Sequence, residues 1–118
     1  MKLPNAERAV IDMEKLHDYC LNSNHPKGKY KARVFLEKLE LKADDVERLR
    51  EMVLEAISQK EAMAKDPSTC GQRFYVDFGY ERRLLYVVMQ ASVRSVWMIR
   101  NDEAFPRLTS CFILQRRF

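Results

Sequence analysis

Apolar side chains recur at helical spacing in the first half of this chain and at alternating spacing in the second. Leu16, Tyr19 and Cys20 stand at i, i+3 and i+4, which predicts a first helix facing inward on that side, with Asp12 as its N-cap. The stretch "LNSNHPKG" stops it with Asn, Ser, Pro and Gly in close succession. A second helix begins near Lys29, with Ala32, Phe35, Leu36 and Leu39 as its buried stripe and Lys31, Glu37, Lys38 and Glu40 left in water. A third follows, capped by Asp44 with Glu47 three residues on, its stripe being Val46, Leu49, Val53, Ala56 and Ile57. "AKDPSTCGQ" is the next break.

Beyond that break the period drops to two. "RFYVDF" places Phe74, Val76 and Phe78 on one face and Arg73, Tyr75 and Asp77 on the other. "LLYVVMQASVRSVWMIR" is long, β-branched and aromatic, and reads as one bent strand or two, with the turn somewhere between Phe78 and Ala91. Within it Val93, Ser95, Trp97 and Ile99 share a face, opposite Arg94, Val96 and Met98. "NDEAFP" connects to a last strand, "RLTSCFIL". The expected fold class is α+β: about three N-terminal helices packed on a C-terminal antiparallel sheet of three to four strands, one domain over residues 1–118.

Composition narrows the class. Apolar residues make up 47% and charged residues 32%, ordinary for a water-soluble globular domain. No apolar run reaches the ~18–20 residues that span a bilayer, and "MKLPNAERAV" lacks the features of a secretory leader, so a cytoplasmic protein is expected. Cys20, Cys70 and Cys111 are odd in number and far apart, the pattern of reduced thiols. The formal net charge is +4, with eight of nine lysines in the first 60 residues and eight of twelve arginines after them. Arginine's planar fork of donors suits phosphate, so an arginine-rich second half is compatible with RNA or another polyanion.

Two stretches could carry chemistry. In "NSNHPKGKYKARVF" His25 precedes Pro26 and Gly28 at the start of a helix, with Lys27, Lys29 and Lys31 close by. Amides opening a helix together with lysines can hold a phosphate, and a histidine there can shuttle protons near neutral pH. The plain alternative is an exposed loop with a solvated basic face. In the strands, Arg94 and Ser95, then Arg107, Thr109 and Ser110, set arginines and hydroxyls among apolar neighbours. Such arginines must pair or face water, so they serve either a polyanion or salt bridges, as between Arg94 or Arg73 and Asp77. His17, Cys20 and His25 match no closed zinc spacing, and neither a phosphate-binding P-loop nor a GxSxG elbow occurs, so no metal or cofactor is called for. Met52, Met63, Met89 and Met98 read as core filler, Trp97 as core and Cys111 as a buried strand thiol.

The runs "LPNAERAVID", "YCLNSNHPKGKYKARVF", "GQRFYVDF", "VRSVWMIR" and "FPRLTSCFIL", in order and spanning nearly the whole chain, resemble a family of uncharacterised bacterial domains. Such domains occur as small stand-alone proteins and as C-terminal modules of phage head-morphogenesis and polymorphic-toxin proteins. That context and the order of helices then sheet look like the barnase, EndoU, colicin and RelE-like ribonuclease toxins, which cut RNA without metal using side chains scattered over a helix and a sheet. The family pattern N-x-x-HP-x-G-x-x-KA falls on Asn22, His25, Pro26, Gly28, Lys31 and Ala32, its arginine-bearing strand on Arg94, and its RLTS on Arg107 to Ser110. Two departures stand out: Lys42 occupies the place of a threonine cap, and "GYERRLLYVVMQA" is longer and more apolar than the usual hairpin.

The resemblance implies a metal-independent endoribonuclease-type toxin, with RNA as substrate and a cognate antitoxin or immunity protein as partner. His25 would shuttle the proton, Lys31, Arg94 and Arg107 would hold the phosphate, and Thr109 or Ser110 would position it. The rival expectation is a non-catalytic interaction module, a homodimer through "LLYVVM". Fold analogy does not choose between them.

Overall fold

The computed structural model describes residues 1–22, 24, 26 and 29–114, apart from the Tyr19 side chain. The first helix, α1 (Met13–Lys15), runs on without a break as a π-helical turn over Leu16–Cys20. Asp12 caps it, its Oδ1 accepting from the amides of Glu14 at 3.0 Å and Lys15 at 3.4 Å. Leu16 and Cys20 are buried, as the spacing predicts.

Helix α2 (Lys29–Leu39) buries Ala32, Phe35 and Leu39. Leu36, expected in that stripe, is exposed. Phe35 and Leu39, one turn apart, take the core-facing line, and Leu36 falls to the flank over a hollow it shares with Leu21, Asn22 and Leu41. The chain then turns through Glu40 in the left-handed region, at φ 51°, and the Leu41 amide returns to the Phe35 carbonyl. Helix α3 (Val46–Gln59) is opened by a 3-10 turn, Ala43–Asp45. Asp45, not Asp44, closes this entry: the tight turn folds its carboxylate back to accept the Lys42 amide at 3.0 Å. Leu49, Val53, Ala56 and Ile57 form its buried face.

The described residues form a four-stranded antiparallel meander in sequence order: β1 (Ala62–Ala64), β2 (Gly71–Arg83), β3 (Val88–Arg100) and β4 (Arg107–Ile113). The α+β expectation therefore holds, with helices N-terminal and sheet C-terminal. Strand β1 has no counterpart in the alternation pattern, because three small or flexible residues, Ala-Met-Ala, carry no period of their own. Its Met63, expected in the core, is exposed on the edge strand. The segment after Phe78 resolves into one long hairpin turning at Leu84–Val87, where the Leu84 amide donates to the Val87 carbonyl.

Thirteen residue pairs join β2 to β3, from Gly71↔Arg100 to Arg83↔Val88. Phe74, Val76, Phe78, Val93, Trp97, Leu108 and Ile113 point to the helices and form the core with α1, α2 and α3. Gly71 is required where the hairpin begins: it has φ +146°, and a Cβ there would stand 2.1 Å from the Ile99 carbonyl oxygen. Arg82 ties the far end of the hairpin down, its Nη1 donating to the α2 C-terminal carbonyls of Leu39 and Glu40 at 3.3 and 2.9 Å. A guanidinium at that end also meets the negative pole of the helix.

At the centre, the fully buried Ser95 hydroxyl donates to the Val76 carbonyl at 2.8 Å and accepts from the Trp97 indole N–H at 2.9 Å. Replacing Ser95 by Ala strands that indole donor in the core. We expect Ser95→Ala to lower stability by about 1–3 kcal/mol in urea unfolding, whereas Ser92→Ala on the exposed part of β3 stays within about 0.5 kcal/mol. Equal effects at the two positions would refute this reading of the core.

Candidate functional site

The sheet face turned away from the helices carries the charged members of the alternation. Lateral pairs place Tyr75, Val96 and Ser110 in one row across the strands and Asp77, Arg94 and Phe112 in the next. Lys31 approaches this face from α2, at the free edge of β4. Its Nζ donates to Ser110 Oγ at 3.1 Å and stands 4.8 Å from the centroid of the Phe112 ring. A helix cation and a strand hydroxyl separated by 79 positions in the chain are thereby joined.

A register shift between Val96 and Trp97 shapes the neighbouring surface. Ser110 pairs with Val96 and Leu108 with Trp97, so Thr109 is the extra residue of a β-bulge. The bulge uses the Thr109 hydroxyl, which donates to the Val96 carbonyl at 3.1 Å. Thr109 also lines a cleft of about 700 Å³ together with Arg107, Arg100, Asn101, Lys15 and Asp12. A narrow crevice continues from Asp12, Lys15 and Thr109 to Ser110 and Cys20. The adjacent hydroxyls of Thr109 and Ser110 therefore lie between two cationic residues, Lys15 from α1 and Lys31 from α2.

The arginines expected to hold phosphate are engaged with carboxylates. Arg94 donates from Nε and Nη2 to Asp77 at 2.8 and 2.9 Å, and its guanidinium lies 4.4 Å from the Tyr75 ring centroid. Arg107 grips Glu103 through Nε at 2.8 Å and Nη2 at 2.6 Å. The carboxylate bonds push both arginines further up and draw Glu103 below the usual carboxylate range. The Asp77 pairing is the salt bridge that the strand pattern left open. Each guanidinium has five N–H donors and spends two of them in this way, so neither is spent entirely.

His25, Lys27 and Gly28 lie outside the described residues, so of the six expected site residues five are located. Of these, Lys31 and Ser110 are in contact, Arg107 and Thr109 share the cleft, and Arg94 stands opposite Phe112 in the row beside them. Lys15 and Arg100 complete the cleft without having been singled out. A lysine one position ahead of a buried leucine looks like any solvated helix residue, and the cleft it lines is built with residues about 85–95 positions further along the chain. Burial pushes the Cys20 thiol up and the Cys111 thiol well up, so neither supplies a thiolate near neutral pH. Among the described residues no group of three or more His, Cys, Asp or Glu could hold a metal ion, and no helix is long and apolar enough to cross a membrane.

Compared with known families, residues 2–115 match the model for a domain of unknown function, DUF6883. The chain belongs to the DUF6883 family. The match takes in all three helices, all four strands and every site residue named above. No curated protein and no solved structure gives a significant match. The reading of this DUF6883 domain therefore rests on its own side chains.

The Arg107–Glu103 pair makes the cleft pH-sensitive in one direction. Glu103 is held below its unfolded value of about 4.3, so its contribution to stability is fully present above that pH and is lost as the pH falls through the lower folded value. We expect the melting temperature of wild type to exceed that of Glu103→Gln by a constant margin at neutral pH, and the two curves to converge in acid. A margin unchanged down to strongly acid pH would show that the pair does not act through ionisation.

Proposed function

We propose that this DUF6883 domain is a metal-independent endoribonuclease of the toxin type, acting on RNA at the β4 edge of the outer sheet face. The observation that carries the reading is the Lys31–Ser110 contact at 3.1 Å. It joins a helix and a strand, the two kinds of element over which the resembled ribonuclease toxins scatter their catalytic groups. In this mechanism a base takes the proton of a ribose 2′-hydroxyl, the oxygen attacks phosphorus, and the 5′-oxygen leaves with a proton. His25, just ahead of α2 in the chain, is the proton shuttle. Lys31 stabilises the charge that develops on the phosphoryl oxygens and Ser110, which accepts from Lys31 and keeps its own proton, orients them, while Thr109, its proton on the Val96 carbonyl, shapes the bulge beside them. Arg94 and Arg107 contribute through the donors that Asp77 and Glu103 leave unused. A cytoplasmic setting and a phage or polymorphic-toxin context belong to this reading, as does an antitoxin or immunity protein that covers the cationic face.

A second reading has its own support. Leu85, Tyr86, Val87 and Val88 are exposed at the hairpin tip, and the flanking residues Tyr80–Arg83 and Val88–Ala91 pair only with each other among the described residues. An apolar tip with two open edges suits an interaction module that forms a homodimer.

Induction in bacteria tests the two together. Wild type is expected to slow growth and degrade RNA, while His25→Ala and Lys31→Ala are harmless. In vitro, cleavage should survive EDTA, and Lys31→Ala should lose on the order of 10²-fold in rate with its circular dichroism unchanged. Equal harmlessness of wild type and His25→Ala would sink the nuclease reading. A dimer abolished by Leu85→Ser/Tyr86→Ser would then establish the interaction module.

A further inference from the structure

The outer face of the sheet holds more cations than the catalytic reading uses. Lys65, just past β1, places its Nζ 4.7 Å from the Tyr75 ring centroid, and Arg94 approaches the same ring from β3 at 4.4 Å. Arg73 stands 5.9 Å from that ring and donates to the Tyr75 hydroxyl at 3.3 Å. Continuing across β4, Phe112 lies opposite Arg94 and carries Lys31 at 4.8 Å. The row thus steps diagonally from Lys65 and Tyr75 to Arg94 and then follows the Asp77–Arg94–Phe112 pairs to Lys31, crossing the strands obliquely, with Asp77 as the carboxylate among them. Among the described residues neither Lys65 nor Arg73 has a carboxylate partner, so both keep their charge for another ligand.

We infer that this row is the track along which a single strand of RNA crosses the sheet to reach Lys31 and Ser110. The inference rests on the ribonuclease reading for the direction of the strand, and on charge and shape for the rest. Three inter-strand spacings of ~4.8 Å give about 14 Å from β1 to β4, enough for a few successive phosphates of an extended strand. Three cations gather at Tyr75 and a fourth stands across β3 and β4 at Phe112, a spread that matches successive phosphates of a strand better than a single anion, which would need all of them converging on one point. The aromatic rings hold the cations in place through the attraction of the ring face for positive charge. They also give unstacked bases flat guanidinium and ring surfaces to lie against, which a duplex cannot use.

The test uses a short fluorescent oligoribonucleotide, 2′-O-methylated so that it cannot be cut, with affinity measured by anisotropy over a range of salt. For a single strand, every phosphate neutralised by a protein cation adds ~0.7 to the steepness of log K against log salt. Lys65→Ala/Arg73→Ala is expected to flatten the slope by about 1.4, while Lys38→Ala/Lys42→Ala, the same charge removed from the helical side, leaves it unchanged. Thermal unfolding of both variants checks that the fold persists. An unchanged slope in the first variant, or duplex RNA bound as tightly as the single strand, overturns the track. Binding with the expected slope but no cleavage of unmodified RNA would keep the track and remove the nuclease. Cleavage with a slope and KM untouched by the Lys65 and Arg73 changes would do the reverse.

Discussion

Both faces of the sheet are set by the antiparallel pairing of β2 with β3. Once thirteen consecutive pairs are fixed, the two-residue period commits each side chain to the helices or to water, and a slip of one position would exchange the faces. Phe74, Val76, Trp97 and their neighbours then have only one place to go. So have Arg73, Tyr75, Asp77 and Arg94. Gly71 begins the pairing where no side chain fits against Ile99, and the Ser95 hydroxyl locks the register from inside by bonding both Val76 and Trp97. A packed apolar layer and a charged outer layer are thus two consequences of one ladder.

The helices are held to that ladder by polar contacts at two corners, in addition to the core. Arg82 reaches from β2 to the last carbonyls of α2, and Lys31 reaches from the first turns of α2 to Ser110 on β4. Both ends of one helix are therefore referenced to the sheet. For chemistry that needs a helix cation beside a strand hydroxyl, this matters more than the depth of any cleft, because a misplacement of an ångström can cost about 10²-fold. The bulge at Thr109 adds to the same corner: it consumes one hydroxyl internally and presents the cleft and the Lys31 contact side by side.

Much of the fold was legible from period alone. The Asp12 cap, the stripes of α2 and α3, and the two faces of β2 and β3 follow from spacing, since burial has no other way to satisfy such patterns. What escaped were features settled by partners distant in sequence. Leu36 loses its place in the core to its own neighbours, and Asp45 replaces Asp44 because the entry to α3 is a 3-10 turn. Strand β1 exists because the β2 edge offers Val76, Tyr75 and Phe74 as partners. The candidate site divides in the same way. Residue type marked Lys31, Arg94, Arg107, Thr109 and Ser110, but spacing could not show that Lys31 meets Ser110 or that Glu103 would take Arg107. Lys15 carried no mark at all.

The paired arginines explain how a cationic face can coexist with a modest net charge. A bare row of guanidinium groups across neighbouring strands would repel itself, and Asp77 and Glu103 relieve that by taking two of the arginines at their edges. Their geometry is bidentate, so each arginine is fixed in direction while part of its donor set stays unspent. Lys65 and Arg73 are steadied instead by the Tyr75 ring, which costs no charge. The face therefore carries its cations in two forms, some compensated and rigid, others held by an aromatic ring with their charge intact. A polyanion would displace no internal carboxylate to bind the second kind, whereas the first kind would serve it chiefly as aligned donors. On physical grounds, affinity should then reside toward β1 and β2, and orientation toward β3, β4 and Lys31, where the reacting phosphate would have to sit.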